Sequence, residues 1–134
     1  MTIECGLTAT LTHRVSDADL AIQWGGQARV LASPCLIGLV ERACMRATDH
    51  RLASGMVTLG VGFDVKHTAP TPDGWTVIVS CKLEKLDGRQ LVYSFSVTDG
   101  AGEVSVGTHV RAVVELNRFN ERLAQRAASI QSNA

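Results

Sequence analysis

In "ASPCLIGLVERACMRA", residues 32–47, a single carboxylate, Glu41, interrupts a run of hydrophobic residues. Ser33 offers a hydroxyl upstream of it, and His67 in "DVKHTA" offers an imidazole downstream. A carboxylate can attack an electrophilic carbon or take a proton from water, and an imidazole titrates near neutrality and can carry that proton. A hydroxyl can orient either. Each also has an ordinary structural use: an acid at a stripe border reaches water, an inward histidine finds a partner, and a serine before proline caps a helix. The elements that carry them therefore matter.

Ser33 followed by Pro34 reads as a helix start, with the serine as N-cap and the proline at the first helical position. From there Leu36, Leu39, Val40, Ala43, Cys44 and Ala47 recur at three- and four-residue steps, with Arg42, Arg46 and Asp49 on the other side. At about 100° per residue Glu41 falls roughly 40° beyond Ile37, at the edge of the apolar stripe. The period then changes to two. In "MVTLGVGFDVKHTA" the odd positions Val57, Leu59, Val61, Phe63 and Val65 share one face, and His67 follows on it, pointing inward.

"WTVIVSCKLEKL" repeats the alternation with Trp75, Val77, Val79, Cys81 and Leu83, and "QLVYSFSVTD" and "VSVGTHVRAVVEL" supply two more strands. "TPDG", "LDGRQ" and "DGAGE" separate them with residues that tight turns require. "GLTATLTHRV" is a further strand, with Leu7, Ala9 and Leu11 on one face. Residues 119–134 read as a short helix that frays into a polar end. The order is one strand, one long helix and four antiparallel strands, in a single α+β domain spanning 1–134. One amphipathic helix buries its stripe only if the sheet curls around it. The unpaired edges of such a sheet point to a homodimer or higher oligomer.

The chain has 134 residues and a formal charge of zero, from 13 basic and 13 acidic residues. No global field therefore draws it to nucleic acid or to an anionic membrane. No apolar run approaches the roughly 18 residues of a spanning helix, and the N-terminus lacks a signal pattern, so a cytoplasmic protein is expected. Cys5, Cys35, Cys44 and Cys81 show neither CxxC spacing nor the density of a disulfide scaffold and read as free thiols. Cys35, in the first helical turn, is a rival nucleophile. His13, His50 and His109 have no metal spacing, and no metal is expected.

"ASPCLIGLVERACMRA", "TLGVGFDVKHTAPTPDG" and "GTHVRAVVELNRFNERL", in that order and spacing, resemble the hotdog-fold acyl-CoA thioesterases, and within them the fluoroacetyl-CoA thioesterase type. The resemblance covers about residues 30 to 123, with little match before residue 30. It implies a hotdog fold, a dimer, and hydrolysis of an acyl-CoA in which coenzyme A is part of the substrate and no further cofactor is used. The family's threonine, glutamate, histidine and glycine fall by motif on Ser33, Glu41, His67 and Gly60, with a serine where the family has threonine. The resemblance implies that Glu41 acts as nucleophile or general base, meeting His67 and Ser33 across a pocket. Gly60, lacking a side chain, would let a backbone N–H or the acyl group approach closely.

"DADLAIQWGGQARVL" lacks the family's phenylalanine-bearing lid and has Trp24, Gly25 and Gly26 instead. Fluoroacetyl-CoA is therefore not carried over, and a short or substituted acyl group is expected. His109 and Arg111 share one strand face, where structural pairing is the default and contact with the coenzyme the alternative. Two other functions fit the same residues: a hydratase or conjugate-addition enzyme on an unsaturated acyl thioester, and a non-catalytic module binding acyl-CoA or another small ligand.

Overall fold

The computed structural model describes residues 2–132. Its elements are β1 (Thr8–Arg14), α1 (Ser33–Thr48), β2 (Met56–His67), β3 (Thr76–Asp87), β4 (Gln90–Asp99), β5 (Gly102–Glu115) and α2 (Leu116–Ser132). The strands form one antiparallel sheet in the order β1-β3-β4-β5-β2. α1 lies across one face, mainly on β1 and β3, and α2 lies against β5. This is the hotdog arrangement that the sequence led us to expect.

The stripe of α1 is buried as its spacing predicts: Leu36, Leu39, Val40, Ala43, Cys44 and Ala47 are 5% exposed or less. Thr48 extends it by one residue. They pack with Val77, Val79, Cys81 and Leu83 of β3 and Leu91, Tyr93, Phe95 and Val97 of β4, one contiguous core. Each fully buried Leu or Val contributes about 1.5–3 kcal/mol relative to exposure, which anchors the helix to the sheet. No helix among the described residues is long and apolar enough to cross a membrane.

Four expectations need correction. The N-cap of α1 is Ala32 rather than Ser33, whose hydroxyl makes no cap bond. The Ala32 N–H donates to the Asp19 carbonyl, which holds the entry to the helix one residue earlier. Trp75 lies outside β3 and is 41% exposed. The C-terminal helix begins at Leu116 and stays helical through Ser132, while residues 133 and 134, part of the expected frayed end, lie outside the described residues.

The fourth correction concerns β2, where a bulge between Gly60 and Gly62 shifts the register against β5. Thr58 pairs with Val113, Gly60 with Arg111, Phe63 with His109 and His67 with Ser105. Opposed residues share a face, so Thr58 and Gly60 face α1 before the bulge, and Phe63, Val65 and His67 face it after. Val57, Leu59 and Val61 lie on the opposite side, where Leu59 and Val61 line a groove beneath Phe119 and Leu123 of α2. Strict alternation assigned these three to the wrong face because one inserted residue inverts the parity.

Gly107 of β5 lies where β2 comes closest, and a Cβ there would press into the Asp64 carbonyl and the Phe95 ring. Gly107→Ala should destabilise the fold by about 1–3 kcal/mol. Gly100→Ala, in a turn with open space around it, should stay within about 0.5 kcal/mol of wild type. Urea unfolding of both variants checks this, and equal midpoints would discard the close-approach account.

Candidate active site

α1 and β2 run past each other in opposite directions, so the start of the helix meets the end of the strand. There Ser33 Oγ lies 2.8 Å from His67 Nδ1. Burial pushes the His67 pKa below its ordinary 6.5, opposed in part by the Ala69 backbone. The ring is thus neutral at pH 7 and able to accept a proton. Its Nε2 is buried without a hydrogen-bond partner among the described residues.

Further along the helix, Glu41 Oε2 accepts from Arg111 Nη1 at 3.0 Å. The carboxylate lies directly against Gly60, where a Cβ would come within 2.5 Å of Oε2. Only glycine leaves room for the acid at this spot. The Arg111 side chain is 3% exposed and that of Glu41 35%, so the cation is buried and the anion faces outward from it. An unpaired guanidinium at such depth would cost several kcal/mol.

Arg111 is held on every side. Its Nε donates to Thr58 Oγ1 and its Nη2 to the Thr58 carbonyl, both at 2.9 Å. Nη1 also lies 3.1 Å from His109 Nε2. A guanidinium can only donate, so Nε2 must accept and the His109 proton resides on Nδ1, which donates to the Gly62 carbonyl at 2.8 Å. Burial first, and the Arg111 charge after it, keep the His109 pKa below the usual imidazole value. The ring stacks on Phe63 with centroids 4.1 Å apart. The same logic directs the Thr58 proton to Asp49, whose two carboxylate oxygens lie 2.9 Å away.

The expected site residues thus form two groups in one chain, Ser33 with His67 and Glu41 with Gly60. Glu41 lies eight helical positions beyond Ser33, a rise of about 12 Å. The expected meeting of all three across one pocket does not occur within a single copy. Arg111 as the partner of Glu41, and Thr58 and Asp49 behind it, were not anticipated. Parity did put His109 and Arg111 together on one face of β5, but the bulge hid the inward turn of Thr58.

Burial, reinforced by nearby Asp19, raises the Cys35 pKa, which disfavours a thiolate and weakens the case for Cys35 as nucleophile. Upstream of α1, short 3-10 turns at Asp17–Asp19 and Ala21–Trp24 lead to Trp24, which is 58% exposed. This segment is pinned by Leu20 and Leu31, both buried and bridged to each other.

Comparison with known proteins agrees with this architecture. Residues 15–117 match the family model described as fluoroacetyl-CoA-specific thioesterase, so the likeness begins well before residue 30. The fluoroacetyl-CoA thioesterase of Streptantibioticus cattleyicolor is 42% identical over 97 residues, covering 72% of this chain and 70% of that protein. A solved structure of a variant of the fluoroacetyl-CoA thioesterase FlK in complex with fluoro-acetate is 34% identical and superposes with a TM-score of 0.86, covering 92% of this chain and 98% of the other. A hot-dog-like protein from Thermanaerovibrio acidaminovorans, 23% identical with a TM-score of 0.86 over 91% of each chain, shares the fold. The chain belongs to the family of fluoroacetyl-CoA-specific thioesterases.

Proposed function

We propose that this protein hydrolyses acyl-CoA thioesters carrying a short or substituted acyl group, at a site completed by two copies of the chain. The observation that carries the reading is Glu41, an acid at the border of a buried stripe, held by a buried arginine against the glycine of β2 that leaves it room. Such an acid has the position and the partner of a working carboxylate. Four free cysteines fit a reducing cytoplasm as the compartment.

The need for a second copy follows from distance. Reacting groups must converge within about 3–3.5 Å of the thioester carbon, and about 12 Å of helix separates Ser33 from Glu41. β2 is an edge of the sheet, 12 residues long, with Val61 55% and Phe63 42% exposed. A long edge of this kind favours pairing with its own copy, and two-fold pairing of identical edges is antiparallel. Centred midway between Gly60 and His67, it sets His67 of one copy opposite the partner's Gly60. The Ser33–His67 pair then faces the partner's Glu41 across the space a thioester would fill.

In that setting Glu41 either attacks the carbonyl carbon to give a mixed anhydride or takes a proton from a water that attacks. The tetrahedral oxyanion gains from N–H donors at the start of α1. Collapse breaks the C–S bond, and the coenzyme departs as its thiolate, which is protonated from solvent or, in the general-base route, by the proton that Glu41 took from water, relayed through the neutral His67 ring. Ser33 fixes the orientation of His67 and of the acyl group. In the anhydride route, water then cleaves the acyl-Glu41 bond and restores the carboxylate.

Glu41→Gln, which leaves Arg111 an acceptor, should lower thiol release from acyl-CoA by about 10²-fold or more while circular dichroism stays native. Release at the wild-type rate would move the chemistry elsewhere. Neutral His67 is the active form and its pKa is lowered, so it protonates only at pH values below the free imidazole pKa. The kcat/KM profile should therefore hold level as pH falls past 6.5 and drop only beneath it. A limb at or above 6.5 contradicts a buried neutral base. Glu41→Ala and His67→Ala proteins, each inert, should recover about a quarter of wild-type activity after mixing and subunit exchange, because half the dimers then carry one intact site of two. No recovery after proven exchange would mean that each site belongs to one chain.

A further inference from the structure

The geometry points to Asp49 and Thr58 as positioning residues for the Glu41 carboxylate, acting through Arg111; this rests on the thioesterase reading above. Neither touches the space between Glu41 and Gly60. Their placement makes sense through Arg111. Asp49 is the C-cap of α1, where an acid faces the negative end of the helix and is unfavourable instead of helping. Its carboxylate turns to Thr58 with both oxygens at 2.9 Å. Thr58 is 4% exposed, a buried hydroxyl where valine would fit by shape.

Thr58 presents two acceptors to Arg111, its hydroxyl to Nε and its carbonyl to Nη2. Two bonds along one edge of a planar guanidinium fix the rotation of that plane. Nη1 is then the nitrogen left for Glu41 and His109. The proton of Thr58 points toward Asp49, because Arg111 Nε can only donate to the hydroxyl and the carboxylate accepts from it. Asp49 thereby orients the hydroxyl, the hydroxyl orients the guanidinium, and the guanidinium holds Glu41 against Gly60. Removing the first link frees a long side chain to turn.

The experiment measures kcat and KM for Thr58→Val, Thr58→Ser and Asp49→Asn with a panel of acetyl-, propionyl-, isobutyryl-, phenylacetyl- and fluoroacetyl-CoA, using the substrate that wild type turns over fastest. Thr58→Val should lower kcat about tenfold or more with KM within about twofold, as misplacement of a reacting group does. Thr58→Ser should restore kcat to within about threefold of wild type, since it returns the hydroxyl without the methyl. Asp49→Asn, nearly unchanged in shape, should also lower kcat and serves as the test should Thr58→Val fail to fold. A folded Thr58→Val or Asp49→Asn with wild-type kcat, a loss confined to KM, or a Thr58→Ser no better than Thr58→Val would each overturn the assignment. A wild type inert toward the whole panel overturns the thioesterase reading and this assignment with it, whereas an active, Glu41-dependent wild type with an unimpaired Thr58→Val overturns this assignment alone.

Discussion

A buried guanidinium cannot give up its charge and must find acceptors for its N–H groups wherever the fold puts it. Arg111 meets that demand with the hydroxyl and carbonyl of Thr58, the Glu41 carboxylate and the His109 ring. The orientation of three residues on three elements follows from it. His109 is fixed in one tautomer, Thr58 points its proton at Asp49, and Glu41 is drawn onto Gly60. Because the cation is deep and the carboxylate partly exposed, breaking the pair from the Glu41 side strands a buried charge, the costlier of the two losses.

The bulge in β2 makes this arrangement possible. Before it, Thr58 and Gly60 present the arginine's acceptors and the gap for the acid; after it, Phe63 supports His109 and His67 reaches Ser33. A strand of unbroken alternation could not put both sets on the helix face. The carbonyl of Gly62 within the bulge accepts from His109, so the irregularity is tied into the same network as the charge. Structural and chemical demands therefore coincide at residues 58–63, and a change in that stretch would be felt in both.

The two halves of the site differ in kind. The Ser33–His67 pair lies toward the surface, with a neutral imidazole suited to moving a proton, whereas the Glu41 group is a fixed, charge-balanced cradle. Separating them along one helix and rejoining them across a two-fold axis would link activity to assembly, since a lone chain holds both halves but cannot focus them on one carbon.

The sequence alone determined the order of elements, the buried stripe of α1 and the inward face of β3, because hydrophobic periodicity is a local property and these segments keep a constant period. Motif resemblance added the identities of Ser33, Glu41, Gly60 and His67. The tertiary structure decided who bonds to whom. One bulge inverted the parity of Val57, Leu59 and Val61, and a backbone contact from Asp19 moved the helix cap to Ala32, freeing Ser33 for His67. The pairing of Glu41 with Arg111 joins residues 70 positions apart, and no local pattern encodes a contact whose geometry depends on how a helix sits on a sheet.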